Sequence, residues 1–170
     1  MSGDAAVAGL TGPANELITR LGLERHPEGG WFRRIHTAEQ VVDTGHGPRA
    51  RVSSIHYLLT ADEPIGRLHR NRSDILHYLQ GGGPVEYTLL DEHGVLRRET
   101  LGFGPGESLF LFVPGGVWKA SRLIGDARHA LVSEAVVPGF DFADHAFGAS
   151  DLLVTYPQHA DALRPLLRPG

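Results

Sequence analysis

From Arg51 onward the chain is a series of short apolar runs, each cut off by a turn rich in glycine or proline. The runs are VSSIHYLL, DILHYLQ, VEYTLLD, VLRRETL, SLFLFVP and HALVSEAVVP, and the breaks are ADEPIG, QGGGP, DEHG, GFGPGE, PGG and LIGDA. Runs this short suit strands better than helices, and regular spacing between turn signals predicts an all-β sandwich or barrel. DEHGV reads as a hairpin turn. SLFLFVP is apolar on both faces, as expected of a buried central strand. Helical pattern is confined to the ends. PANELITRLGL (13–23) places Leu17, Ile18 and Leu21 on one face, with Pro13 suited to a first turn and Gly22 to a stop. ERHPEGGWFRR (24–34) is a turn entering an extended segment, and QHADALRPLLRPG reads as a short closing helix. With 170 residues, the expectation is a flexible stretch at 1–12, one domain over 13–158 and a tail at 159–170.

Composition removes several classes of function. Cysteine is absent, which excludes disulfides, thiolate catalysis and cysteine-held metals. The net charge of -4 and the lack of a basic tract argue against a nucleic-acid partner. No run approaches the roughly 20 apolar residues of a membrane helix. MSGDAAVAGLTGP has no basic start, which argues against a secretory signal. A cytoplasmic protein acting on a small molecule is the expectation.

Of the 16 Lys and Arg residues, 15 are Arg, and Lys119 is the single lysine. Base composition accounts for the excess of Arg but not for one retained Lys. An ammonium can lose its proton when desolvated, whereas a guanidinium cannot. Lys119 is therefore a candidate for proton chemistry.

Several segments in order, HPEGGWFRR, SSIHYLL, LHRNRSDILHYLQGG, VPGGVWKASRL and VVPGFDF, resemble the small DUF985 cupins, also called cupin 5. The similarity spans about Leu17 to about Leu153. It implies a double-stranded β-helix, the cupin jelly-roll barrel, with short terminal helices. It also implies a homodimer and a pocket at the barrel mouth. The family resembles the dTDP-sugar epimerases in fold, and fold alone does not name a reaction.

Many cupins hold a metal through two His and a Glu from a first motif and a His from a second. Against that pattern the chain offers His69, then Asn71 where a second His would stand and Asp74 near the Glu position, with Lys119 at the last His. His69 and Asp74 are two sound ligands where a first-row ion wants three or more. An ammonium offers no lone pair. No cofactor is expected on that count; a divalent metal needs a third ligand such as His56, His77 or Glu134.

The leading expectation is metal-independent acid–base catalysis of the isomerase, epimerase, dehydratase, lyase or cyclase type, with His69, Lys119 and Glu134 at its centre and His56 and Asp74 beside them. Where the family pattern has an aromatic near position 56, Gln near 110, Gln at 119 and a small residue at 134, this chain has His56, Phe110, Lys119 and Glu134. Glu134 alternates with Ala130, Val132 and Val136, so burial would raise its pKa. Parity groups Asp74 with Leu76 and Tyr78 on the expected pocket face, with His77 turned the other way to pack between sheets. Ser54, His56 and Leu58 share another face. Tyr78, Trp118, Phe110, Arg70 and Tyr87 are candidate substrate contacts, though each also suits wall, core or surface. Gly29 and Gly30 read as a structural turn that seats Trp31. The alternatives are a metal-dependent oxygenase or lyase using His69, Asp74 and a third ligand, and a non-catalytic sugar- or nucleotide-binding cupin.

Overall fold

A computed structural model describes residues 13–169; the stretch expected to be flexible, 1–12, lies outside them. Helix α1 (Pro13–Leu21) is followed by strands β1 (Glu24–Arg25), β2 (Trp31–Thr37), β3 (Val41–Asp43), β4 (Pro48–Ala50), β5 (Ser53–Thr60), β6 (Ile65–Asn71) and β7 (Asp74–Gly82). Then come β8 (Val85–Leu90), β9 (Leu96–Leu101), β10 (Phe110–Val113), β11 (Trp118–Leu123), β12 (His129–Val137) and β13 (His145–Phe147). The chain closes with α2 (Asp151–Thr155) and α3 (Ala160–Leu163). A six-stranded sheet ordered β1-β2-β5-β12-β7-β10 faces a five-stranded sheet ordered β13-β6-β11-β8-β9, and β3 and β4 form a separate hairpin. All of these named pairings are antiparallel. This is the expected jelly roll.

Burial explains the arrangement. Tyr57, Leu59, Leu79, Tyr87, Leu89 and Val132 belong to the core between the two sheets. Leu68, Leu90 and Ala120 on the small sheet pack under Leu152, Leu163 and Leu166, so the C-terminal helices exist to cover apolar side chains on that sheet. Ile18 of α1 covers Trp31 and Leu58 in the same way. Each large apolar side chain so buried contributes about 1.5–3 kcal/mol. Gly22, at φ 61, ends α1. Asp91 Oδ1 accepts from the backbone N–H groups of His93 and Val95 and closes the β8–β9 hairpin.

One strand departs from its pattern. β10 is the edge of the large sheet, not a central strand. Leu111 and Val113 face the core, while Phe110 and Phe112 are 44% and 43% exposed on the outer face. A continuous apolar run does not report which of its faces is covered. The β3–β4 hairpin, β13 and α2 carry no marked periodicity, and all were invisible in the pattern. No helix among the described residues is long and apolar enough to cross a membrane.

Candidate active site

A cavity of about 250 Å³ opens at one end of the barrel. Its wall includes Tyr57 and Ile55 from β5, His69 and Asn71 from β6, Glu134 and Val136 from β12, and His145 from β13. Phe140 and Phe142 stand in the same lining.

The HPEGG turn contributes more than the seat of Trp31. Gly29 has φ 96, and a Cβ there would lie 2.3 Å from the Ile65 carbonyl oxygen. Only glycine allows that close approach. The turn carries His26 and Glu28 into the cavity lining and still brings Trp31 into the core beside Leu58. The Glu28 backbone N–H donates to His26 Nδ1 at 3.1 Å. Glu28 Oε1 lies 2.8 Å from His145 Nε2, and its Oε2 lies 3.3 Å from His69 Nδ1. His69 Nδ1–H also donates to the Arg67 carbonyl at 2.7 Å. The rings of His69 and His145 stack 5.4 Å apart.

Burial alone would raise the Glu28 carboxyl. The field of His69, the hydrogen bond from His145 and the further fields of His26 and Lys119 outweigh it and hold the pKa at about 2. Burial lowers His69 to about 4, against the pull of Glu28. Burial lowers His26 as well. A proton entering this cluster therefore goes to an imidazole before it goes to Glu28.

A second ionisable group lies in the barrel interior. Lys119, on β11 of the small sheet, is buried and reaches across to the large sheet, where its Nζ lies 2.7 Å from His77 Nε2. His77 Nδ1 lies 3.2 Å from the Leu111 carbonyl. That carbonyl can only accept, so the ring proton sits on Nδ1 and Nε2 accepts from the Lys119 ammonium. Glu134 pairs with His77 in register across β12 and β7. Its two carboxylate oxygens lie 3.6 Å from His77 Nε2 and from Lys119 Nζ. Burial raises the Glu134 pKa, and Lys119 offsets this only in part. Burial first, and then the Lys119 charge, push His77 well below its ordinary value.

The structure thus brings His69 and Glu134 to one cavity, with Lys119 behind them. It does not bring the other candidates there. Parity grouped the residues of β7 correctly, but the interior face is the one with His77, not the one with Asp74. Asp74 is exposed and accepts from the Gly115 backbone N–H at 2.8 Å. The pairing of His69 with Asp74 as two metal ligands is therefore not assembled. The same inversion applies to β5: Ser53, Ile55 and Tyr57 line the cavity, and His56 lies outside it, with Nδ1 3.1 Å from Ser133 Oγ. Tyr78 and Phe110 touch each other on the exposed outer face, with ring centroids 5.2 Å apart. Arg70 is exposed and lies over the Trp118 ring, which packs against the C-terminal helices. Tyr87 is buried in the core, edge-on to His77. None of these five candidate contacts lines the cavity.

Glu28, His26 and His145 were missed. Glu28 and His26 carried a signal: a His and a carboxylate two positions apart, followed by two glycines and a Trp. His145 carried none, because the pairing of β13 with β6 brings it in from a remote segment.

Residues 15–148 match the family described as Cupin superfamily (DUF985). The chain belongs to this cupin family. It is 39% identical over 148 residues to the uncharacterised protein YML079W of Saccharomyces cerevisiae, covering 78% of this chain and 73% of the yeast one. A hypothetical protein from Leishmania major superposes with a TM-score of 0.87 at 29% identity, over 93% of this chain and all of that one. Oxalate decarboxylase of Bacillus subtilis shares the fold, with a TM-score of 0.53 at 19% identity over 85% of this chain and 34% of that one. The positions compared above with a cupin metal pattern do not form a ligand set here, since Asp74 faces away and Lys119 stands at the last position as a hydrogen-bond donor to His77.

Proposed function

We propose that this cupin is a small-molecule enzyme of acid–base chemistry, of the isomerase, epimerase, dehydratase, lyase or cyclase type, in which Glu134 moves the proton. One observation carries the reading. Glu134 is a carboxyl on the cavity wall with a raised proton affinity, held beside a buried ammonium. Glu28 in the same cavity is held ionised. Two carboxyls pushed in opposite directions by their surroundings suit two different roles.

Glu134, as carboxylate, takes a proton from a carbon next to a carbonyl or a leaving group and returns it to the product. Lys119 does not line the cavity, so its role is to hold charge: it steadies the Glu134 carboxylate before the transfer. His77, fixed by the Leu111 carbonyl, holds the ammonium in place. Glu28, His69 and His145 form a polar end of the same cavity. The test is deuterium incorporation into carbon-bound positions of a panel of aldoses, ketoses and hydroxy acids in heavy water, followed by NMR. The reading requires that at least one exchanges and that Glu134→Gln stops it; exchange at an undiminished rate in that variant would overturn it.

The reading includes a second copy of this chain as partner. Phe110 and Phe112 on the edge strand β10 and Tyr78 on neighbouring β7 form an exposed aromatic strip, which suits a self-complementary contact. Light scattering on the wild type and on Phe110→Ser/Phe112→Ser tests it.

A further inference from the structure

We infer that Glu28, His69 and His145 form a binding site for a divalent first-row metal ion at the cavity. One donor atom from each of the three lies within 4.8 Å of the others. Two imidazoles and one carboxylate, with room left beside them, are a donor set suited to such an ion. The Nδ1–H of His69 is spent on the Arg67 carbonyl, which leaves Nε2 as the nitrogen with a free lone pair. The Glu28 backbone is tied to His26, so the carboxylate is carried on a fixed turn.

A second, independent observation points to a missing ligand. Asn71 lies two residues beyond His69 on the same face of β6 and is paired with His145 across the strands. It is 93% buried by its 7% exposure, lines the same cavity, and its Oδ1 has no hydrogen-bond partner. A buried carbonyl oxygen left without a donor is costly, and a cation beside the cluster would satisfy it.

This set differs from the one the sequence pattern suggested. It keeps His69 and replaces Asp74 with a carboxylate from the β1–β2 turn and an imidazole from β13. The ion and one carboxylate together carry net positive charge, so the positions left open toward the cavity suit an anionic oxygen or a carbonyl. That last consequence rests on the proton-transfer reading, because a polarised carbonyl would acidify the neighbouring C–H that Glu134 deprotonates; the metal site itself does not.

The experiment is a titration of the full-length, chelator-treated and desalted protein with Co(II), read by visible absorption and by elemental analysis after gel filtration. The expected result is one Co(II) per chain, with selective paramagnetic broadening of the His69 and His145 imidazole NMR signals. His145→Gln and Glu28→Gln should each weaken uptake by more than about 100-fold, and Asp74→Asn should leave it unchanged. Circular dichroism confirms that the variants fold, and the wild-type imidazole signals decide the matter if one does not. No stoichiometric uptake at about 1 mM Co(II), or uptake that leaves both imidazole signals sharp, overturns the proposal. Glu134→Gln should bind Co(II) as the wild type does, so loss of proton exchange and loss of metal are read separately.

Discussion

Glu28 and Glu134 share one cavity and are both buried, yet their proton affinities move in opposite directions. Glu28 accepts from His145 at 2.8 Å and has two more imidazoles close by. Glu134 faces its nearest cation at 3.6 Å, and that cation already donates to His77. Burial raises both carboxyls; at Glu28 the field of His69, the hydrogen bond from His145 and the fields of His26 and Lys119 together outweigh it, whereas at Glu134 Lys119 alone opposes it and Glu28 adds to it. The comparison teaches that two residues of one type, at one depth, can be a fixed anion and a proton carrier.

The largest expected effect is on Glu134 itself. Replacing it with Gln keeps the shape and removes the base, and should slow proton exchange by about 10²–10⁴-fold, measured by NMR in heavy water. Next comes Lys119→Met, which leaves Glu134 without its cation. Breaking such a buried pair costs about 3–5 kcal/mol in urea unfolding at neutral pH, and the loss should shrink when Glu134→Gln is added. Because Lys119 lowers the Glu134 pKa, its removal should also move the acid limb of the exchange rate to higher pH.

Gly29→Ala attacks the other carboxyl through its turn. A side chain at φ 96 pressed against the Ile65 carbonyl should cost about 1–3 kcal/mol, read as a fall in the thermal midpoint, and should weaken Co(II) uptake while leaving Glu134 in place. A smaller effect concerns His77. Its folded pKa lies well below 6.5, so the unfolded chain takes a proton that the folded chain refuses. The stability that neutral His77 contributes is present above pH 6.5 and is lost as pH falls below it. Urea midpoints from about pH 7.5 down to about pH 5 should therefore decline, and His77→Gln should flatten the slope. Asp74→Asn, outside the cavity, should change stability by about 0.5 kcal/mol or less and leave exchange alone.

Much of the fold was legible. The turn-punctuated runs mark β5, β7 to β10 and β12, though not β6 and β11, which carry His69 and Lys119, and the apolar face of residues 17–21 marks α1. Alternation assigned residues to common faces correctly on β5, β7 and β12. It could not say which face was inward, because the outer face of the large sheet is also apolar at Tyr78 and Phe110. That one ambiguity moved Asp74 and His56 into the expected pocket, whereas His77 packs between the sheets as expected. Lys119 and Glu134 were legible as a lone amine and as a carboxylate among small apolar residues. Set in one apolar barrel, the two were expected to couple, and they meet across the facing sheets at 3.6 Å.

The order of local elements, the absence of thiol chemistry and the uniqueness of one lysine are properties of the chain as written. They follow from short-range sterics and from residue identity, which need no folding partner. Which carboxyl is fixed and which titrates was decided only when β13, the glycine turn and the two sheets closed around one space. Electrostatic interaction depends on distances across the barrel, and those join residues far apart along the chain, such as Glu28 and His145.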